Sequence, residues 1–492
     1  MVLLEQKALR GVPWTLLAYA SNKAVTVATT LVLARLLTPR DFGLVALALL
    51  VIVALSFLRD LGLNGTLILR QDLDQRAKGT LLTLMVGMGA LLAVVMAAGS
   101  PLVADLMREP RLDEVMVALS VTVLLGGVTW FYEALLQREL EFRKRFFSLS
   151  AQSLTNAGVA LPLAAAGAGV WSLVAGQLVS TVAYGIALLA VAPYRVVPAF
   201  DRDAARDALR TGRGFMLQSL GSFAQQNADY FVVGRMLGAS QVGFYSMAYR
   251  LAELPYYAIA DPVARVTFPG FARMQSRGED VRGSFLSGLG LVALVTCPVG
   301  VILSGAAEPF TQAVLGDAWL PMIGPLAVLG LWGAVRPLQV TVGWLLNSTG
   351  EAGLMGVISV VVLVPLVPAL VLAAELGGIT AVAWVMLADM LASLFVLSLF
   401  VARRVGVRMR AQWRAYAPVA LACVPAWVAA RAVAEYTGGE LAAGLALAAS
   451  AAAGTLLYVG ALFALEPALP GTALRQIGRT LGRAPASREP VA

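Results

Sequence analysis

Histidine is absent from all 492 residues. That removes the commonest metal ligand and the side chain that titrates near neutral pH, so histidine catalysis and His-based zinc chemistry are excluded. Cysteine is almost absent: Cys297 and Cys423 both fall inside apolar runs, with no C-x-x-C spacing and no disulfide framework. Charge is scarce, at 13% of residues against 59% hydrophobic, and mean hydropathy is +0.79; a soluble domain averages about 25% charged. No Walker loop of the form G-x-x-x-x-G-K-[ST] occurs, so this chain carries no ATP engine. The loops between apolar runs reach only around twenty residues. They leave no extracytoplasmic domain where paired catalytic carboxylates of a polymerase or glycosyl transferase could stand. Nothing in the chain asks for a metal or cofactor, and an enzyme is not expected.

What is present is apolar sequence in lengths that cross a bilayer. Fourteen runs can be counted: 13–36, 43–66, 79–104, 115–136, 147–166, 171–193, 214–237, 242–264, 284–306, 319–346, 352–374, 378–402, 415–433 and 441–465. Each is long enough for ~30 Å of hydrocarbon. The expected class is an all-α polytopic membrane protein of fourteen transmembrane helices. The first run follows Lys7 and Arg10 and has no small-residue cleavage site after it, so it reads as a retained span. With both ends of the chain on one side, loops there hold 28 of the 37 Lys and Arg residues. The opposite loops hold four: Arg40, Arg108, Arg111 and Arg431. Cationic loops stay cytoplasmic, which places both termini inside. The net charge of +8 is thereby explained without a nucleic-acid partner.

The stretches 31–48 and 231–248 align without a gap at an offset of 200 residues. Val32, Arg35, Leu37, Gly43 and Ala48 recur as Val232, Arg235, Leu237, Gly243 and Ala248. Self-similarity at long period marks a duplicated unit. Six spans precede the second copy, so it has the same orientation as the first, and the repeat is parallel. The expected organisation is an N-lobe at 1–194, a cytoplasmic linker at 195–213 and a C-lobe at 214–402. Two extra spans follow at 403–466, then a basic cytoplasmic tail at 467–492.

Polar groups inside the runs fall on helical faces. Span 1 carries Thr15, Tyr19, Lys23, Thr26 and Thr30 at spacings of three and four. Span 7 carries Gln218, Ser222, Gln225, Gln226 and Asp229; span 8 carries Arg250, Glu253, Tyr257, Asp261 and Arg265. In span 10, Arg336, Gln339 and Asn347 share a face, and a shorter stripe, Ser148, Gln152 and Asn156, marks span 5. Span 6 has another in Gln177, Thr181 and Tyr184. Charged groups at bilayer depth cost about +2.5–3.5 kcal/mol each, so they face a cavity or a partner. One reading is a central aqueous cavity whose substrate-binding wall is Lys23, Tyr19, Thr26, Gln225, Asp229, Arg250, Glu253, Tyr257 and Arg336. The other is that the same charges pair with one another and lock helices together, Arg250 with Glu253 one turn on. Asp229, Glu253, Asp261 and Asp389 are the carboxylates that could couple transport to H⁺ or Na⁺.

Three segments resemble a known family: LARLLTPRDFGLVALALLVIVALSFLRDLGLNGTLI (33–68), LLQRELEFRKRF (135–146) and NADYFVVGRMLGASQVGFYSMAYRLAELP (227–255). They are similar to the polysaccharide-transporter branch of the multidrug/oligosaccharidyl-lipid/polysaccharide (MOP) exporters, which includes the Wzx-type flippases. The resemblance implies two six-helix lobes with two extra C-terminal helices in a bacterial inner membrane. It also implies flipping of undecaprenyl-pyrophosphate-linked oligosaccharide from the cytoplasmic to the periplasmic leaflet, for O-antigen, capsule or exopolysaccharide synthesis. Partners would be the polyprenyl-linked glycan, membrane lipid and polysaccharide polymerase machinery. A cationic central cavity is implied, to which Lys23 and Arg250 could contribute. The mixed acid and base of span 8 departs from that pattern. A cation-coupled small-molecule antiporter of the same superfamily is the alternative, and it would need an acid-centred cavity in the first lobe.

Overall fold

The turn Thr38-Pro39-Arg40-Asp41 contains a complete helix-start signal. Proline at the first helical position has no N–H to leave unsatisfied and a φ already suited to the helix. Thr38 and Asp41 cap each other: the Thr38 hydroxyl donates to Asp41 Oδ2 at 2.6 Å, and the Asp41 N–H donates to Thr38 Oγ1 at 3.3 Å. The chain therefore leaves one helix, α1 (residues 21–36), and enters the next, α2 (Pro39–Asp60), across two residues. At about 1.5 Å per residue, the 22 residues of α2 span the hydrocarbon layer.

The computed structural model describes residues 21–60, 67, 73–139, 141–260, 282–348, 352–437 and 442–466. Tyr19, Asp261 and the 467–492 tail lie outside the described residues. After α2 come α3 (Gln75–Met107), α4 (Arg111–Arg138), α5 (Phe142–Ala165), α6 (Val170–Val191), α7 (Arg202–Leu237) and α8 (Ala239–Ala252). A π-helical turn at Tyr256–Ala260 follows α8. Next are α9 (Arg282–Gly305), short turns through Ala307–Phe310 and Thr311–Leu315, and a 3₁₀ helix at Asp317–Met322. The chain continues through α10 (Ile323–Ser348), α11 (Ala352–Arg404), α12 (Met409–Thr437) and α13 (Ala443–Leu465). Among the described residues all regular structure is helical.

The expected gap between 374 and 378 falls on a real break. Inside α11, Gly377 and Gly378 leave helical geometry, Gly378 at φ 61° and ψ −151°, so the 53-residue helix is two spans joined at a glycine hinge. Among the described residues nine helices are long and apolar enough to cross a membrane, and the chain is a multi-pass membrane protein. Helices α5, α7 and α8 do not meet that measure, and α7 holds the long polar stripe of span 7.

The described residues sort into two compact units. The first falls within Met1–Leu251, Val314–Pro325 and Gly350–Asp389; the second falls within Ala252–Ala313, Leu326–Thr349 and Met390–Ala492. In the first, Leu81 and Met85 of α3, Phe131 and Leu135 of α4, and Tyr184 and Leu188 of α6 build a buried core. Beside it, Glu133 of α4 takes Arg145 of α5 at 2.7 Å and the Tyr184 hydroxyl at 2.8 Å. In the second unit, the Tyr458 hydroxyl of α13 donates to the Leu294 carbonyl of α9 at 2.8 Å, which docks the last helix onto α9.

The internal repeat is visible in the first unit as a crossing of α2 and α8. A Cβ added at Gly43 would run into the Ala239 carbonyl, and one added at Gly243 would run into the Pro39 carbonyl. The repeat exchanges the two contacts, since Gly43 matches Gly243 and Pro39 matches Ala239 at the 200-residue offset. Glycine recurs at this position because two backbones touch there, and a side chain would force them apart.

Candidate functional site

The first unit encloses a cavity of about 330 Å³ whose wall can be read helix by helix. Helix α1 presents Asn22, Thr26, Thr29, Thr30 and Leu33; α2 presents Phe42, Val45 and Leu49. Leu149, Gln152, Ser153 and Asn156 come from α5, Leu173, Gln177 and Ser180 from α6, and Arg250 from α8. The threonine hydroxyls of α1 donate back to carbonyls four residues earlier, Thr26 to Asn22 and Thr30 to Thr26, each at 2.8 Å. Their oxygen lone pairs remain available as acceptors. Ser153 donates to Asn22 Oδ1, tying α5 to α1. The wall offers neutral hydroxyl and amide groups, one aromatic face and one guanidinium. No carboxylate is among the described residues that line it. Such a surface can hydrogen-bond sugar hydroxyls and hold one anionic group in the planar fork of Arg250.

The sequence-expected residues separate into distinct settings. Thr26 and Arg250 line the cavity. Arg250 is exposed and, among the described residues, makes no ion pair. Lys23 is half-buried on α1 and is not part of the lining. The lining face of α1 runs through Asn22, Thr26, Thr29, Thr30 and Leu33, so it takes Thr26 and Thr30 from the expected stripe and Lys23 is not part of it. Asn22 and Thr29 are therefore wall residues that sequence reasoning missed, although the spacing of four, three and four was there to be read. Gln152, Asn156 and Gln177 formed the shorter stripes of spans 5 and 6, and they converge on the same space.

Asp229 lies elsewhere in the first unit. Its side chain is 0% exposed, Oδ2 accepts the Tyr245 hydroxyl at 2.7 Å and Oδ1 accepts the Tyr230 N–H at 2.9 Å. Gln225, one turn earlier on α7, donates to Asp389. Neither Gln225 nor Asp229 is part of the cavity lining.

Glu253, Tyr257 and Arg336 belong to the second unit. Arg336 pairs with Glu253 at 3.1 Å, their side chains 15% and 12% exposed. Its guanidinium lies 4.8 Å from the Trp332 ring and 5.3 Å from the Tyr256 ring. Tyr257 stacks edge-on against Tyr256 at 5.0 Å. The cation that meets Glu253 is thus Arg336, not its neighbour Arg250 at helical spacing, because α8 ends at Ala252 between the two. Among the described residues no group of histidine, cysteine or carboxylate side chains could hold a metal ion.

Comparison with known proteins gives the family and the fold. A family described as polysaccharide biosynthesis protein matches residues 32–324. The lipopolysaccharide biosynthesis protein WzxC of Escherichia coli K12 is 27% identical over 383 residues, 76% of this chain and 77% of its own length. The teichuronic acid biosynthesis protein TuaB of Bacillus subtilis is 27% identical over 385 residues, covering 78% and 80%. The fold is that of the lipid II flippase MurJ in its inward closed conformation, with a TM-score of 0.70 at 12% identity over 98% of this chain and all of that one. An inward-facing multidrug resistance MATE transporter of the MOP superfamily gives a TM-score of 0.65 at 16% identity, over 80% of this chain and 96% of that one. With more than half of its length matched by one family model, the chain belongs to the polysaccharide biosynthesis protein family.

Proposed function

We propose that the chain is a flippase that carries polyprenyl-pyrophosphate-linked oligosaccharide from the cytoplasmic to the periplasmic leaflet of a bacterial inner membrane. The observation that supports this reading is a cavity whose described lining holds Arg250 and no carboxylate. A sugar headgroup cannot cross ~30 Å of hydrocarbon unaided, because its hydroxyls would lose their hydrogen bonds to water. The Thr, Asn and Gln side chains around the cavity replace those bonds, and Arg250 answers the pyrophosphate. The polyprenyl tail stays in lipid while the two six-helix lobes, 1–194 and 214–402, rock about the headgroup. The termini stay inside, as the distribution of cationic loops requires. The names of the relatives, for lipopolysaccharide, teichuronic acid and, in Rhizobium meliloti, succinoglycan transport, support a surface glycan as cargo.

A drug antiporter needs an acid at the centre of the first-lobe cavity, and none is among the described lining residues. For ion coupling, Asp389 is the candidate, since it is half-buried within a span and, among the described residues, meets an amide, Gln225, and no cation. Asp229 and Glu253 are held by Tyr245 and Arg336. Deleting the gene is the test. The strain should lose its surface polysaccharide and accumulate the polyprenyl-linked repeat unit; an unchanged surface with no build-up would overturn the proposal.

A further inference from the structure

The segment between α9 and α10 carries a tryptophan that transport chemistry does not explain. Trp319, in the Asp317–Met322 helix, is 0% exposed. Its indole N–H donates to the Ala34 carbonyl at 2.8 Å. Ala34 lies in the last turn of α1, where carbonyls have no intrahelical donor, and the Thr38 N–H that could have served it donates to Asp41 instead. Arg35 returns the contact, its Nε donating to the Val314 carbonyl at 2.8 Å. The Trp319 ring stands edge-on to two others, Phe42 of α2 at 5.4 Å and Phe244 of α8 at 6.0 Å. Leu33 and Phe42 also line the cavity, so Trp319 lies directly behind its wall, at the end nearest the α1–α2 and α7–α8 turns.

A second contact joins the same two turns. Glu109, between α3 and α4, is 9% exposed. One carboxylate oxygen pairs with Arg40 of α2 at 2.7 Å, and the other accepts the N–H of Ala239, the first residue of α8, at 3.3 Å. The repeat explains why α8 needs this help. At the first position of α2 stands Pro39, which has no N–H to satisfy, whereas the matching residue of α8 is Ala239, which has one. Glu109 supplies the acceptor for that N–H from outside the helix.

We infer that Trp319 and Glu109 form a clasp that holds the α2 and α8 turns together and shuts the outer mouth of the cavity. The clasp must release for cargo to leave outward. Trp319 satisfies a helix end of the first repeat while wedged between rings of both repeats, and Glu109 satisfies a helix start of the second while paired to the first. Both contacts bridge the two repeats at one end of the helices, and that end lies outside when the chain's termini lie inside. The inference rests on the alternating-access reading and its orientation. Its test measures accessibility without any substrate, so the two can fail separately.

The test uses the full chain with Cys297→Ser and Cys423→Ser, and Asn156→Cys as a reporter in the cavity wall. Right-side-out and inverted membrane vesicles are treated with a membrane-impermeant maleimide. From outside, the parent should label slowly. Trp319→Phe and Glu109→Gln should each label about fivefold faster, the worth of one ordinary hydrogen bond. Trp319→Ala, which also loses the ring contacts, should label about tenfold faster or more. If Trp319→Ala fails to accumulate, the two isosteric variants carry the result alone. Outside labelling within twofold of the parent in folded, monodisperse variants overturns the clasp. An equal gain from the cytoplasmic side also overturns it, because that pattern means general loosening.

Discussion

Replacing Arg250 by glutamine removes the guanidinium from the cavity wall and leaves a side chain that still donates a neutral hydrogen bond. The difference isolates charge. A hydrogen bond to a charged group is worth about 1.5–3 kcal/mol against about 1 kcal/mol for a neutral one. Arg250 is exposed, so water and salt screen it and the low end applies. The expected loss is about 1.4 kcal/mol, a tenfold weaker Kd. The assay is binding of undecaprenyl pyrophosphate to purified protein in nanodiscs, with undecaprenol as the uncharged comparison. The parent should favour the pyrophosphate about tenfold, and Arg250→Gln should bind the two lipids alike. Arg250→Lys, which keeps the charge and loses the fork, should fall between them. The preference should shrink as ionic strength rises. An Arg250→Gln variant that keeps the full preference for pyrophosphate refutes the assignment.

Three further perturbations address packing, the buried pair and coupling. Gly43→Ala should cost about 1–3 kcal/mol by forcing Cβ into the Ala239 carbonyl, and Gly243→Ala likewise against Pro39. Gly87→Ala, which meets nothing within 4 Å, should be neutral or slightly stabilising in the same thermal melt. Arg336→Met should destabilise by about 3–5 kcal/mol because it takes a paired cation away from the Glu253 carboxylate, which is only 12% exposed. Adding Glu253→Gln should restore most of the melting temperature, and failure of that rescue would deny the pairing. Asp389→Asn should abolish the response of export to an imposed H⁺ or Na⁺ gradient in vesicles; an unaltered response removes Asp389 from coupling.

Much of the fold was legible because bilayer thickness and helical rise leave few choices. The run boundaries near 36, 104, 136, 166, 193 and 237 agree within a few residues with the ends of α1, α3, α4, α5, α6 and α7. The repeat was legible from Gly43 and Gly243, since backbone contact tolerates no other residue there. The cavity was half legible. Stripes at helical spacing identify a polar face but not its edges: Thr26 and Thr30 of the expected stripe line the cavity beside Asn22 and Thr29, whereas Lys23 does not. Partners across helices left no local signal. Arg250 and Glu253 have the spacing of a helical ion pair, yet α8 stops between them, and Glu253 meets a cation more than eighty positions away. Glu109 and Trp319 were invisible for the same reason, as their partners are fixed by tertiary contact alone.

The central claim is that this cavity moves a lipid-linked glycan, and reconstitution measures that directly. Vesicles holding the purified chain would receive a polyprenyl-pyrophosphate-linked oligosaccharide on the leaflet that matches the cytoplasmic side. Its transfer to the opposite leaflet would be followed by protection from a membrane-impermeant glycosidase. The account predicts protection that grows with time with the parent protein, and slows about tenfold with Arg250→Gln. Protection no faster than in protein-free vesicles, or unchanged by Arg250→Gln, would contradict it.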